Sequence, residues 1–435
     1  MDYDLTIIGA GWAGFNAAIR AKELGLKVCL IDKGPIGGTC LNLGCIPTKT
    51  LIQSAKVYSL VKKSANFGVT CENPQINFSK IQERKEKIIQ QLRSGMQLTL
   101  KGIDFLNAEA KIISSQEIKA GEQTLKTKFI LIACGSRPIE LGSLKFDGKK
   151  IISSDEILNL KEIPKTLLII GGGVVGSEFA NLFATLGSNV SLVEKMPQLL
   201  PGVDNEVARK LETAFKKKSI KVSTNTDATL INLNNFDLVL LSIGRAPRTQ
   251  SLGLEEIGVK LERGKILIDD CLKTTASNIY AAGDCTGKIM LAHFASYQGR
   301  LAAENIAQPN SARKANGGCV PSCIFTDPEI ASVGLSEEEA RIQNPEIKIH
   351  EFDFLGSGMA RIIDETDGFI KIISDAKSGR IIGSSIIGPK ATELIGILTL
   401  ALSARLNLSQ LQDTILAHPT LSESISDALK NNHGI

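Results

Sequence analysis

The 435-residue sequence has no dominant charge, no long apolar run and few cysteines, and each shortage removes a class of function. With 50 Lys and Arg against 46 Asp and Glu, the formal charge of +4 is close to balance. That argues against the basic surface of a nucleic-acid or polybasic membrane binder, so no nucleic-acid partner is expected. The one dense basic run, Lys216-Lys217-Lys218 with Lys221, reads as the solvated end of a helix. No uncharged apolar stretch reaches the ~18 residues of a membrane span, and those at 168–176 and 394–402 are too short. Nine cysteines, an odd number, are too few for a disulfide scaffold. The chain opens Met1-Asp2-Tyr3-Asp4 and enters a strand at once, without a basic signal region or an Arg-rich presequence. The expectation is a cytoplasmic enzyme with mostly reduced thiols, in which any disulfide is a working one.

The length allows roughly two to four domains, and an internal repeat marks two of them. Residues 4–33 align without gaps on residues 166–195, at an offset of 162, with 12 of 30 positions identical. Two copies at so long a period suggest two domains of one type rather than a solenoid. Each copy reads as a buried strand, a Gly-rich turn, an amphipathic helix and a second strand ending in an acid. The turns are Gly9-x-Gly11-x-x-Gly14 and Gly171-x-Gly173-x-x-Gly176, and the acids are Asp32 and Glu194. The first glycine permits the turn, the second lets backbone approach a pyrophosphate, and the third lets helix and strand pack closely. The helix N-terminus then offers N–H donors and partial positive charge to the phosphates. The acid can accept hydrogen bonds from ribose hydroxyls. One such loop is weak grounds; two in matched contexts, each with its acid, imply that the chain binds two dinucleotides.

Elsewhere, residues 78–100 carry Ile81, Ile88, Leu92 and Met96 at helical spacing. Strands are expected at 111–114 and 126–133, and again at 238–243, 266–268 and 278–282, with a helix near 293–306. The second nucleotide unit looks pared down between Val222 and Asp237. A Pro-, Asn-, Ser- and Gly-rich stretch, 308–318, reads as a domain boundary. Beyond it, strands at 369–373 and 380–387 and helices at 392–404 and 421–429 describe an α+β module without a nucleotide fingerprint. Ser336–Glu339 has the pattern of a capping box.

Between Asp32 and the next helix lies Gly37-Gly38-Thr39-Cys40-Leu41-Asn42-Leu43-Gly44-Cys45-Ile46-Pro47-Thr48-Lys49. The cysteine spacing does not fit a zinc knuckle and no second ligand pair follows, so no metal is expected. Pro47 suits the first turn of a helix, which places Cys45 at its N-terminus, where the dipole favours a thiolate. From these residues alone the two cysteines read either as a redox couple or as buried structural thiols.

Residues 37–49 are similar to the signature of the flavoprotein disulfide reductases, the class I FAD- and NAD-linked disulfide oxidoreductases. The Ile46-Pro47-Thr48-Lys49 ending most resembles the dihydrolipoyl dehydrogenase branch. Ala133-Cys134-Gly135-Ser136-Arg137-Pro138, Ser242-Ile243-Gly244-Arg245, Ala281-Ala282-Gly283-Asp284 and His418-Pro419-Thr420-Leu421-Ser422-Glu423 extend the resemblance over nearly the whole chain. It implies an α/β architecture: two Rossmann-like dinucleotide-binding domains plus a C-terminal α+β dimerisation domain. The implied division is an FAD-binding domain at 1–142 and an NAD-binding domain at 143–264. A return segment at 265–318 completes the first, and an interface domain occupies 319–435.

By this resemblance, Gly9, Gly11, Gly14, Asp32, Thr39, Ala110, Gly135 and Asp284 hold FAD. Asp32 stands where the family more often has Glu, so a small backbone shift or a water is expected there. Lys49 lies by the flavin, ion-paired with Glu178, although each alone reads equally as a surface-helix residue. Gly171, Gly173, Gly176, Glu194 and Gly244 hold NAD, and Glu194 disfavours the 2′-phosphate of NADP. His418 acts on the redox disulfide of the other subunit of a homodimer, oriented by Glu423. Without the family, His418 reads as a turn residue and Glu423 as part of a capping box.

The implied reaction is oxidation of protein-bound dihydrolipoamide by NAD⁺, with Cys40 as the interchange thiol and Cys45 beside the flavin. The lipoyl domain is expected on another chain, in a 2-oxoacid dehydrogenase or glycine-cleavage complex, because no lipoyl-type segment precedes Met1. The last residues, 431–435, carry no cysteine pair of the kind expected in mercuric or large thioredoxin reductases. A glutathione-type reductase is the nearest alternative, and a turnover-deficient flavin-binding assembly subunit is the alternative of another class. The shortened 222–237 segment and Arg248, where Asn is usual, keep the last reading open.

Overall fold

Both glycine-rich repeats fold as βαβ units, each at the centre of its own sheet, in the computed structural model, which describes residues 1–430. In the first, β1 (Tyr3–Ile8) passes through the glycine turn into α1 (Trp12–Glu23) and returns as β2 (Val28–Asp32). Helices α2 (Gly38–Leu43), α3 (Cys45–Lys62) and α4 (Phe78–Thr99) follow. Strands β3 (Asp104–Asn107), β4 (Ala110–Ser114), β5 (Glu117–Ala120) and β6 (Gln123–Ile132) complete a sheet of order β3-β2-β1-β6-β5-β4.

The second unit begins after β7 (Ser136–Pro138) and β8 (Ile151–Ile152). It runs β9 (Thr166–Ile170), α5 (Val174–Thr185), β10 (Asn189–Val193), α6 (Asn205–Lys217), β11 (Lys221–Ser223) and β12 (Leu238–Leu241). Its parallel sheet has the order β11-β10-β9-β12-β8. β13 (Arg245–Pro247) pairs antiparallel with β7, and β14 (Leu261–Glu262) forms a hairpin with β15 (Lys265–Ile266).

The chain then returns to the first unit. β16 (Ile279–Ala281) adds in parallel to β6, and α7 (Ala292–Ala307) packs on α1 so closely that a Cβ on Gly299 would meet Ala13 O at 2.0 Å. The third unit is an antiparallel sheet of order β17-β18-β21-β20-β19. Its strands are β17 (Ser322–Ile324), β18 (Glu329–Gly334), β19 (Ile347–Asp353), β20 (Phe369–Asp375) and β21 (Ile381–Gly388). Helices α8 (Glu337–Gln343), α9 (Gly358–Ile362), α10 (Ala391–Ser403), α11 (Leu408–Gln412) and α12 (Glu423–Lys430) belong to the same unit.

The central parallel strands are mostly apolar and buried because helices and loops cover both faces. Leu5, Ile7, Leu30 and Leu131 anchor one core, and Leu167, Ile169, Leu192 and Leu240 anchor the other. This leaves the C-terminal strand ends, with their glycine turns, as the open edge where ligands bind in such sheets.

The helix expected over 78–100 is α4; within it Leu92 is 44% exposed and Lys85 is buried. The Lys85 Nζ donates to Leu158 O at 2.7 Å and to Asn159 Oδ1 at 3.1 Å, so a long stem fills the apolar contact while its head meets a free carbonyl. Other expectations change. The basic run is solvated only in part. Lys216 and Lys217 are exposed, whereas Lys218 turns inward to Asp327 Oδ2 at 2.6 Å and Asn181 Oδ1 at 2.9 Å. Burial holds the Lys218 amine below its usual value.

The strand expected at 266–268 is confined to Lys265–Ile266, since Ile268 forms an isolated bridge with Thr274. Between β11 and β12 lie two 3₁₀ turns, Ala228–Leu230 and Leu233–Asn235, started by the side chains of Asp227 and Asn232. The C-terminal unit has five strands where two were expected, and the Ser336–Glu339 capping box is formed. Residues 431–435, the basis for setting aside mercuric and thioredoxin reductases, lie outside the described residues.

Candidate active site

The two nucleotide loops are built alike. Gly9 and Gly171 have φ of +108° and +105°. A Cβ on Gly14 would stand 1.8 Å from Gly9 O, and one on Gly176 would stand 1.9 Å from Gly171 O. Asp32 Oδ2 accepts from Ala10 N at 2.6 Å and Oδ1 from Gly34 N at 2.7 Å. Glu194 Oε2 accepts from Gly172 N at 2.7 Å and Oε1 from Met196 N at 2.8 Å. The shorter acid therefore reaches the equivalent pair of amides.

Gly11 and Gly173 cap α1 and α5 without any side-chain hydrogen bond, and neither first turn holds an acidic residue. Both helices thus present unsatisfied N–H groups beside a glycine turn, a donor set that fits a pyrophosphate. The residues present fit two dinucleotides.

Around the first loop, Ala110 opens β4, two residues past Ala108, whose N–H donates to Asp32 O at 3.1 Å. Gly135, at φ +72°, joins β6 to β7, and Asp284 starts a 3₁₀ turn after β16. Ser136 ties these pieces together. Its Oγ donates to Asp284 Oδ2 at 2.6 Å and accepts from Arg245 Nε at 2.8 Å, so a residue on β13 braces the first site. Gly244, at φ +122°, immediately precedes Arg245, and its carbonyl accepts from Ile139 N at 3.1 Å.

Thr39 and Cys40 ride on α2, and Cys45 begins α3. Gly44 between them makes the approach possible: a Cβ there would lie 2.9 Å from Thr39 O and 3.3 Å from Cys40 Cα. Both sulfurs are free thiols joined by a hydrogen bond, and their titration is opposed. Donation from Cys40, with the Lys49 charge adding to it, lowers Cys45 to about 7 against burial and Glu178. The same bond, followed by burial, pushes the Cys40 thiol up.

Lys49 lies one turn along α3. Its Nζ stands 2.8 and 2.7 Å from the two oxygens of Glu178 on α5, in the other nucleotide unit. Phe325, from the third unit, donates its N–H to Glu178 Oε1 at 2.9 Å and places its ring 4.7 Å from Nζ. No motif pointed to Phe325, and Ser136 and Arg245 lay inside recognised motifs without an assigned role.

His418 is 81% exposed on the third unit. Its Nδ1 meets Glu423 Oε1 at 2.9 Å, while Glu423 Oε2 accepts from Thr420 N at 2.9 Å. One carboxylate, at the first residue of α12, thus holds both the Thr420 amide and the imidazole, whereas Thr420 Oγ1 turns to Ala417 O at 2.7 Å rather than closing a capping box. Of the remaining cysteines, Cys29 and Cys285 are buried, Cys71 is exposed and Cys134, Cys271, Cys319 and Cys323 are half-buried. Among the described residues no helix is long and apolar enough to cross a membrane, and no cluster of His, Cys, Asp or Glu is suited to a metal.

Comparison with known proteins bears on the same features. The sequence profile described as pyridine nucleotide-disulphide oxidoreductase matches residues 3–299, and that of the corresponding dimerisation domain matches 320–429. The chain is 38% identical over 456 residues to dihydrolipoyl dehydrogenase of Bacillus subtilis (strain 168), covering 99% of each. It is 39% identical over 453 residues to that of Chlamydia pneumoniae, covering 99% of this chain and 98% of the other. Among solved structures, LpdA from Mycobacterium tuberculosis superposes with a TM-score of 0.91 at 28% identity over 98% of each chain. The HOCl-induced flavoprotein disulfide reductase RclA from Escherichia coli gives 0.88 at 29% identity, over 99% of this chain and 100% of the other.

Proposed function

The chain belongs to the pyridine nucleotide-disulphide oxidoreductase family, and we propose that it acts as a dihydrolipoyl dehydrogenase, oxidising protein-bound dihydrolipoamide with NAD⁺. The observation that carries this reading is the polarised Cys40–Cys45 pair set against Lys49 and Glu178. FAD and NAD are the cofactors. Gly9, Gly11, Gly14, Asp32, Thr39, Ala110, Gly135 and Asp284 hold the first, with Lys49 at the flavin. Gly171, Gly173, Gly176, Glu194 and Gly244 hold the second. When bound, FAD relays an electron pair between the dithiol and the nicotinamide.

The chain's own residues carry the thiol chemistry. His418, supplied by the partner subunit of a homodimer, takes the proton from one substrate thiol. That sulfur attacks Cys40 Sγ in the Cys40–Cys45 disulfide, the S–S bond breaks, and its electron pair leaves on Cys45. The second substrate thiol then attacks the first substrate sulfur, closing the lipoyl disulfide and releasing Cys40, which keeps one proton; the other passes through His418 to solvent. Two electrons and one proton remain on the pair. The exposure of His418 and the matched dimerisation domain support a site shared between subunits.

The substrate comes on a lipoyl domain of a 2-oxoacid dehydrogenase or glycine-cleavage complex, in the cytoplasm. The buried Glu194 carboxylate favours NAD over NADP. The test sets NAD⁺ with dihydrolipoamide against NADPH with glutathione disulfide on purified enzyme. Preference for the first pair is expected, and preference for the second overturns the assignment.

A further inference from the structure

Trp12 is the single tryptophan of the chain, and it is the first residue of α1, immediately after the glycine turn. Its Nε1 is fully buried and meets no hydrogen-bond partner within the geometric limits among the described residues. An indole N–H can only donate, so burying it unmet is costly unless some other acceptor receives it. The neighbour on that side is α2, the helix that carries Cys40. Gly37 N donates to Ala10 O at 2.9 Å, and a Cβ on Gly38 would lie only 2.7 Å from Gly11 Cα. The segment bearing Cys40 therefore rests directly on the turn that launches Trp12.

We infer that Trp12 is a positioning residue for the thiol exchange, its indole N–H donating to Sγ of Cys40 and stabilising the thiolate form of that sulfur. The Cys45 hydrogen bond and burial push the Cys40 thiol up, and the indole contact opposes them, together with the Lys49 charge. The charged and titratable groups around the pair are Cys45 and Lys49 from α3, Glu178 from α5 and Arg245 from β13. The chain contains its own control. At the offset of 162 the equivalent of Trp12 is Val174, 40% exposed at the second glycine turn, where no thiol pair is present. The dinucleotide fold thus does not require an indole there; the dithiol gives it a use. Cys40 is the leaving group when the mixed disulfide resolves, and a better-stabilised thiolate leaves faster.

The inference rests on Cys40 being the exchange thiol, and its test needs neither lipoamide nor NAD. In FAD-loaded Cys45→Ser enzyme, Cys40 titrates without its partner thiol, and its alkylation by iodoacetamide can be followed against pH by mass spectrometry. Adding Trp12→Phe is expected to raise the midpoint by about one pH unit, a tenfold loss of thiolate below it. An unchanged midpoint in a variant that keeps its flavin overturns the inference. Should Trp12→Phe fail to fold, Cys45→Ser alone suffices. Ultraviolet resonance Raman of its one tryptophan is expected to show the indole N–H hydrogen bond strengthening as Cys40 ionises, and a band that does not move overturns it. Either result leaves the choice between lipoamide and glutathione to the substrate comparison above.

Discussion

Lys49 and Glu178 join the two nucleotide units through one ion pair, with Nζ bound to both carboxylate oxygens at 2.8 and 2.7 Å. Glu178 is nearly dry at 4% side-chain exposure, whereas Lys49 keeps 29%. The two members of the pair act on the Cys45 thiol with opposite sign.

Lys49→Met is therefore expected to raise the midpoint of Cys45 alkylation above its value of about 7, and Glu178→Gln to lower it. Each shift should be on the order of one pH unit. A depressed thiol pKa means that reactivity appears above pH 7 and vanishes below it, so Lys49→Met should be the less reactive at pH 8. Rates measured on the reduced enzyme from pH 5 to 10 check both directions.

For His418, replacement by Gln is expected to slow lipoamide turnover by about 10²–10⁴-fold, the usual loss for a general base. NADH-driven reduction of ferricyanide, which bypasses thiol exchange, should be spared. Mixing His418→Gln chains with Cys45→Ser chains should restore part of the lipoamide activity, because a hybrid dimer has one site with both groups intact. Hybrids without activity would place the histidine and the thiols in the same chain.

The two glycine turns predict separable losses. Gly14→Ala would put a Cβ 1.8 Å from Gly9 O, and that variant should purify without flavin. Gly176→Ala meets Gly171 O at 1.9 Å, and it should keep the flavin absorbance. Its kcat/KM for NAD should fall by on the order of tenfold or more, equal to about 1.4 kcal/mol.

Lys371 is 1% exposed on β20 and holds carboxylates from three directions. It reaches Asp204 Oδ2 at 3.3 Å, Glu337 Oε2 at 2.9 Å and Glu351 Oε1 at 3.4 Å, and it also bonds Glu206. Lys371→Met leaves the buried Asp204 beside like charges, and a loss of about 3–5 kcal/mol is expected. Adding Asp204→Asn should recover part of it in thermal melts.

The sequence made some of these features plain and hid others for physical reasons. The glycine turns, Asp32, Glu194 and the Cys40–Cys45 segment are local: a turn, a helix start and a strand end fix them within a few residues. Ser336–Glu339 was legible for the same reason. The inward place of Lys85 in α4 was hidden because helical spacing names a stripe without saying which side a neighbour covers, and a lysine stem can fill an apolar contact. β18 and β19 went unread because Glu329–Gly334 is short and rich in small residues, and Ile347–Asp353 interrupts its apolar alternation with Glu351. Phe325 and the partners of Lys371 come from separate units, so no window of sequence contains them. Family resemblance rather than spacing supplied the roles of His418 and Lys49.

The return of β16 to β6 has a consequence in time. The first sheet gains this strand, and the flavin pocket gains Asp284, only after the whole second unit has been made. On a ribosome extending the chain at roughly 5–20 residues per second, the later unit can fold first while the earlier one waits open. Flavin should therefore be captured late in synthesis, and a chain stopped before Ile279 should leave the ribosome with its second half folded and its first half unfinished.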